Sequence, residues 1–387
     1  MNILYCIPHL YNSGGMERVL TQKVNWLAEH TNHTITIVTT ELTPEGMPQT
    51  YFPLDPRIKV VELNIDFNAD YNKPIWSKWW CHMRRMCTYE RALRKYIRAN
   101  HINLCISLGG KEIAFLRTLP CRQIAEMHFS KDQRQQLIEA NHKGFLWLLL
   151  GRIRTRQLVN AVRQLDWLVV LTEEDQADWQ REGCGHVIVI PNPCYLDGQE
   201  MQKASVSSDK NKIVLAVGRL HEQKGFDMLL QAWEPIEKQH PDWTLRIVGE
   251  GPQREVLEQQ IADMALQHVV LAGRSEKMVE EYNEASLFVL SSRYEGLPLV
   301  LIESMWCGLP CIAFDCPRGP KALLRDGRGW IVPNGDVAKL SAQIEYAISH
   351  PEEAEQHAKR AQAYAHENYS EAEIMPRWER IILHYIS

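Results

Sequence analysis

Two series of short apolar runs, each alternating with helical patterning, constrain this chain more than any other feature. The first comprises residues 3–7, 34–38, 59–63, 104–107, 123–127, 167–171 and 187–190. The second comprises 213–217, 244–248, 269–271, 287–290, 311–314 and 330–332. The runs are β-branched and almost continuously apolar, as parallel strands covered on both faces require. Strands alternating with helices predict an α/β chain with two doubly wound, Rossmann-like sheets. Pro191 and Pro193 stop strand and helix alike, and the polar stretch 197–212 leads into the second series. The reading is therefore one domain over 1–195 and a second over 196–369. A last helical segment, 371–386, is apolar along one side through Trp378, Ile381, Ile382 and Tyr385. The length of 387 residues agrees with two domains of roughly 150–200 each.

Composition narrows the class. With 45% hydrophobic and 24% charged residues the chain is globular rather than disordered. No apolar run approaches the ~18 residues of a membrane span, and the longest, 145–150, suits a core or interfacial segment. The amino terminus has neither a basic region nor a cleavage site, and reads as a buried first strand rather than a signal peptide. The ten cysteines are scattered and form no CxxC pair. Cys307, Cys311 and Cys316 lack the spacing and the fourth ligand of a tetrahedral metal site. Free thiols in a reducing compartment follow, hence a cytoplasmic protein. The net charge of −5 is unevenly split: residues 1–195 hold 23 Lys/Arg against 19 Asp/Glu, the remainder 20 against 29. The amino-terminal half is thus the one suited to an anionic partner.

Three loops carry the chemistry. Asn12-Ser13-Gly14-Gly15-Met16-Glu17 follows the first run, and its glycines let backbone N–H groups and a helix start approach an anion; the alternative is a plain tight turn. It is not the GxGxxG dinucleotide fingerprint, which argues against NAD(P). In the second series Gly218-Arg219-Leu220-His221-Glu222-Gln223-Lys224-Gly225 places two cations where doubly wound sheets bind ligands. Cations there suit the charge that grows on a leaving diphosphate. The third loop, 291–303, has Gly296 for a free turn, Pro298 for the first turn of a helix, and two carboxylates, Glu295 and Glu303. Carboxylates accept hydrogen bonds only, which matches pairs of sugar or ribose hydroxyls.

With its Glu-x7-Glu spacing in EGLPLVLIE, the chain resembles the retaining family-4 glycosyltransferases of the GT-B fold. The resemblance extends through VGRLHEQKGFDMLLQAW, LRIVGEGP, LAGRS, DGRGWIVP and the early GG loop, in that family's order. It implies two domains facing a cleft and a terminal helix, about 370–387, crossing back onto the first. It implies that Arg219 and Lys224 contact the diphosphate of a nucleotide-sugar donor and Glu303 its ribose. Glu295, with backbone N–H groups around Gly296 and Leu297, would hold the donor sugar. Gly15 would approach the diphosphate, Arg274 the base, and His128 the reacting sugar. Asp315-Cys316-Pro317-Arg318-Gly319-Pro320 looks like members acting on cell-surface polysaccharides. The donor is read as UDP-linked. No Asp-x-Asp follows any predicted strand, so side-chain cations replace a metal and no cofactor is expected. A nucleotide-sugar epimerase of the same fold is the alternative; it would need acid and base groups flanking a sugar carbon.

A basic, aromatic stretch suggests where the acceptor lies. Residues 73–98 hold eight cations (Lys73, Lys78, Arg84, Arg85, Arg91, Arg94, Lys95 and Arg98) against one acid, Glu90, with Trp76, Trp79, Trp80, Tyr89 and Tyr96 among them. Residues 143–163 add five cations and no acid. Such mixtures suit a helix lying on an anionic membrane face, with a lipid-linked glycan as acceptor; a solvated basic face is the simpler alternative. Nucleic acid is disfavoured by the acidic whole and the lack of a nucleic-acid motif.

Overall fold

The computed structural model describes residues 1–67, 75–129, 131, 145–194, 196 and 211–384. Lys73, Lys143 and Tyr385 lie outside the described residues, as do the side chains of Trp76, Lys78 and Trp79. The chain divides into two compact units, Met1–Pro191 with Ile374–Ser387, and Asn192–Glu373.

Among the described residues of unit 1, seven parallel strands form one sheet: β1 (Asn2–Ile7), β2 (Thr34–Thr39), β3 (Lys59–Glu62), β4 (Leu104–Ser107), β5 (Arg122–Met127), β6 (Trp167–Val170) and β7 (Val187–Val189). Their order is β3-β2-β1-β4-β5-β6-β7. Helices α1 (Gly15–His30), α2 (Ile75–Ala99), α3 (Phe145–Val162) and α4 (Glu173–Arg181) cover it. Alternation along β1 sorts the two faces. Leu4 and Cys6 pack with Tyr89, Leu93 and Ile97 of α2 and Leu158 and Val162 of α3. Ile3, Tyr5 and Ile7 pack with Leu20, Val24 and Leu27 of α1.

Unit 2 repeats the plan with β8 (Ile213–Val217), β9 (Thr244–Val248), β10 (Val269–Gly273), β11 (Leu287–Leu290), β12 (Cys311–Asp315) and β13 (Trp330–Pro333), in the order β10-β9-β8-β11-β12-β13. Its helices are α5 (Phe226–Gln239), α6 (Arg254–Asp263), α7 (Met278–Glu284), α8 (Leu299–Trp306), α9 (Pro320–Leu324), α10 (Val337–Ser349) and α11 (Pro351–Tyr369). The chain then enters α12 (Glu371–His384), whose Ile374, Met375, Trp378, Ile381 and Ile382 join the core of unit 1. Each such side chain contributes about 1.5–3 kcal/mol on burial, so this helix is an integral part of that core. All thirteen apolar runs of the sequence are strands, and both sheets are doubly wound.

Candidate functional site

The strand order of unit 2 reverses between β8 and β11, and open α/β sheets bind ligands beyond the carboxyl ends of the strands at such a reversal. The two loops leaving these strands are zipped together. Arg293 N donates to Gln223 O at 2.8 Å. Gln223 Nε2 donates to Tyr294 O at 3.0 Å, and Ser291 Oγ to Lys224 O at 2.9 Å. The Arg293 guanidinium adds a bidentate pair with Asp227 at 2.7 and 2.8 Å, the most directional form of ion pair. Gly225 permits the join: its φ is +64°, and a Cβ there would stand 2.1 Å from the Ser291 carbonyl oxygen.

This frame sets Lys224 against Glu295. Lys224 Nζ lies 2.7 Å from Glu295 Oε1, with the two side chains 18% and 7% exposed. Ser292 Oγ donates to the same oxygen at 2.6 Å. Oε2 carries no hydrogen bond among the described residues, leaving an acceptor for a hydroxyl. Glu295 N donates to Pro317 O at 3.3 Å, which brings the 315–320 loop alongside. Burial first, then the Glu295 carboxylate, pushes the Cys316 thiol up to about 12.

The other residues singled out in the sequence take distinct places. Arg219 and Arg274, past the ends of β8 and β10, are exposed and unpaired among the described residues. Gly296 and Leu297 lie in the loop before α8, where Gly319, at φ +91°, passes so close that a Cβ on it would stand 2.7 Å from Gly296 O. Pro298 caps α8 at φ −73° and ψ 98° instead of entering its first turn. Lacking an N–H, it ends the extended loop, and helical geometry begins only at Leu299. Glu303 is buried on α8 and accepts a hydrogen bond from the Tyr282 hydroxyl of α7 on Oε2 at 2.9 Å.

Gly15 and His128 belong to unit 1. Gly15 is the first residue of α1, where the Glu17 carboxylate folds back over the helix start; a Cβ on Gly14 would stand 2.2 Å from its Oε2. Glu17 Oε1 lies 3.1 Å from His9 Nδ1, and this contact raises the His9 imidazole above its ordinary value. His128 follows β5 and is buried; its Nε2 lies 3.2 Å from Glu126 Oε1. The sequence reading missed Glu126, Lys23, Ser292 and Tyr282. Of these only Glu126 left a signal, as a charge inside an apolar run two residues before a histidine.

The sequence and the fold also match known proteins. The family model for glycosyl transferases group 1 matches residues 197–364. The amylovoran biosynthesis glycosyltransferase AmsD of Erwinia amylovora is 27% identical over 98% of this chain and 99% of its own. A Campylobacter jejuni alpha-1,4-N-acetyl-D-galactosaminyltransferase, named for an undecaprenol-diphosphate-linked glycan substrate, is 26% identical over 90% and 89%. Among solved structures, sucrose-phosphate synthase from Thermosynechococcus elongatus superimposes with a TM-score of 0.78 at 18% identity, covering 100% of this chain and 99% of that one. S. aureus TarM, solved with fondaparinux, alpha-GlcNAc-glycerol and UDP, gives 0.76 at 14% identity over 98% and 99%. These structures share the pair of parallel sheets found here. The chain has the GT-B fold, and its residues 197–364 match the family model for glycosyl transferases group 1.

Proposed function

We propose that this chain is a retaining glycosyltransferase that moves a hexose or N-acetylhexosamine from a UDP-sugar to a hydroxyl of a lipid-linked or polysaccharide glycan. The observation that carries the reading is the Lys224–Glu295 pair at the sheet reversal of unit 2. There a cation for diphosphate and a carboxylate for sugar hydroxyls stand side by side, with the exposed Arg219 on the same loop as Lys224. Lys224 and Arg219 stabilise the charge that develops on the departing diphosphate, in place of a metal ion. Glu295, with the backbone around Gly296 and Leu297, holds the sugar, and Glu303 takes the ribose hydroxyls. Arg274 is assigned to the base, Gly15 to the diphosphate and His128 to the edge of the reacting sugar. The donor phosphate acts as base for the incoming hydroxyl on the face that the leaving group departs, which retains configuration; the protein contributes orientation and charge. The names of AmsD and of the Campylobacter jejuni enzyme support a polysaccharide or lipid-linked glycan as acceptor, and TarM's bound UDP supports the nucleotide.

The two glutamates should separate in binding. Glu303→Ala should weaken binding of free UDP by about tenfold or more, because a lost hydrogen bond to a charged group costs about 1.5–3 kcal/mol. Glu295→Ala should leave UDP affinity within about twofold and yet abolish transfer, since its partner is the sugar. Calorimetric titration of both variants with UDP decides this, and equal affinities would refute the division of labour.

We further propose that α2 and α3 dock on an anionic membrane face. Trp80 is 69% and Met83 43% exposed on α2, and Leu149 45% and Ile153 43% on α3. Around them Arg84, Arg91, Lys95, Arg98, Arg152, Arg154 and Arg156 are exposed, and Arg91, Arg94, Lys95 and Arg98 line one groove. Among the described residues no helix is long and apolar enough to cross a membrane, so docking would be peripheral. Each cation near an anionic surface contributes about 1 kcal/mol. Sedimentation with vesicles containing phosphatidylglycerol should carry the protein down at low salt, and high salt should release it. Changing Arg84, Arg91, Lys95 and Arg98 to Glu should abolish this. Equal recovery with neutral and anionic vesicles would leave α2 a solvated basic helix.

A further inference from the structure

The chemistry assigned above leaves a buried charge cluster of unit 1 unused. Alternation along β5 puts Glu126 and His128 on one face, the face that receives α1 and α12. Glu126 is fully buried. Lys23 Nζ, from α1, lies 2.5 Å from Glu126 Oε1, with the two side chains 1% and 0% exposed. The same ammonium sits 3.7 Å from the ring centroid of Trp378 on α12. His128 Nε2 approaches the same carboxylate oxygen at 3.2 Å without a fully aligned N–H, and among the described residues the buried Tyr5 hydroxyl and Glu126 Oε2 also lack hydrogen-bond partners. Burial alone would raise the Glu126 carboxyl, but Lys23 and then His128 reverse this and hold it down at about 2. Burying such an ion pair stabilises a fold no better than apolar residues of similar volume, so stability gives no reason for this set of residues.

An anion beside an imidazole decides which ring nitrogen bears the proton: the N–H stays on the side of the carboxylate. We propose that Glu126 is a positioning residue for His128. Its carboxylate, ion-paired with Lys23, turns the Nε2–H edge of the ring toward itself and leaves Nδ1 as an acceptor beyond the carboxyl end of β5. Trp378 seats Lys23 in that arrangement, so α12 supports the histidine from within the core. This rests on the assignment of His128 to the reacting sugar, where Nδ1 accepts a hydrogen bond from a donor-sugar hydroxyl.

The full chain labelled with 15N-histidine tests the inference by long-range 1H–15N spectra, with His128 identified by the signals lost in His128→Gln. The result expected is protonated Nε2 and bare Nδ1. The pair Lys23→Met/Glu126→Gln removes both buried charges together, so neither is left unpaired, and should shift His128 toward the Nδ1–H form. In the same proteins, UDP release from UDP-glucose and UDP-N-acetylglucosamine should lose about tenfold or more in kcat, as misplacement of a reacting-site group does, with donor KM within about twofold. In a His128→Gln background the pair should cost nothing further, because residues acting as a unit are not additive. An Nδ1–H ring in the native protein, a tautomer indifferent to the paired change, or additive kinetic losses would each overturn the inference. Normal turnover in His128→Gln would instead overturn the assignment of His128 to the reaction, while the spectra still report whether Glu126 sets its tautomer.

Discussion

Lys224→Ala is expected to lower turnover by about a hundredfold or more in a protein that folds normally. Removing one preorganised donor to developing negative charge costs on the order of 3 kcal/mol. Lys224 is suited to that role because the zipped loops fix it: its carbonyl oxygen is held by Ser291 and its ammonium by Glu295 at 2.7 Å. Arg219→Ala should act in the same direction, since Arg219 is exposed beside the same sheet end and pairs with nothing among the described residues. Steady-state kinetics with circular dichroism as a fold control is the check. Rates near those of the native protein in either folded variant would make these ordinary surface cations, and the diphosphate would need another partner.

A comparably large effect, on stability, is expected from Lys23→Met. It leaves Glu126 buried without its cation, and breaking a buried pair in this way costs about 3–5 kcal/mol. For a unit of this size that lowers the melting temperature by on the order of 10 °C. Lys23→Met/Glu126→Gln should recover most of the loss, because no uncompensated charge remains. The pH dependence has a definite sign. The folded Glu126 carboxyl sits at about 2, below its ordinary 4.5, despite burial and because of Lys23 and His128. Its contribution is therefore complete above the unfolded value and is lost as pH falls toward 2. Burial pulls the Lys23 ammonium down, against the Glu126 charge that raises it, so the pair contributes less than Glu126 alone implies. Thermal melts from pH 7 to pH 3 should show a smaller acid loss in the paired variant than in the native protein. Melting temperatures for Lys23→Met within about 2 °C of native would mean that Glu126 is solvated or neutral in the fold.

The strands were legible because a sheet covered on both faces demands apolar residues at nearly every position, and most of the thirteen runs satisfy that demand; the edge strand β3, Lys-Val-Val-Glu, is the weakest. Glu303 was legible for a related reason, a carboxylate among apolar helix neighbours, and it is buried on α8. The Lys224–Glu295 pair was not, since the partners are 71 residues apart and only the β8–β11 adjacency brings their loops together. Lys23 was hidden for the opposite reason. In an amphipathic helix a lysine ordinarily marks the solvated side, and only the packing of α12 over α1 encloses this one. Pro298 was displaced by one position, which is the usual uncertainty of a helix start.

The central claim, a nucleotide-sugar site in unit 2, is tested most directly by melting the purified chain against UDP-, GDP- and ADP-sugars in excess EDTA. A ligand that binds only the folded protein stabilises it by about 2.7 kcal/mol at a hundred times its dissociation constant, or several degrees here. A UDP-sugar should raise the melting temperature in EDTA, and a tenfold weaker affinity in Glu303→Ala should remove about half of the rise or more. No shift with any nucleotide sugar, or one that appears only when magnesium or manganese is restored, would contradict the account.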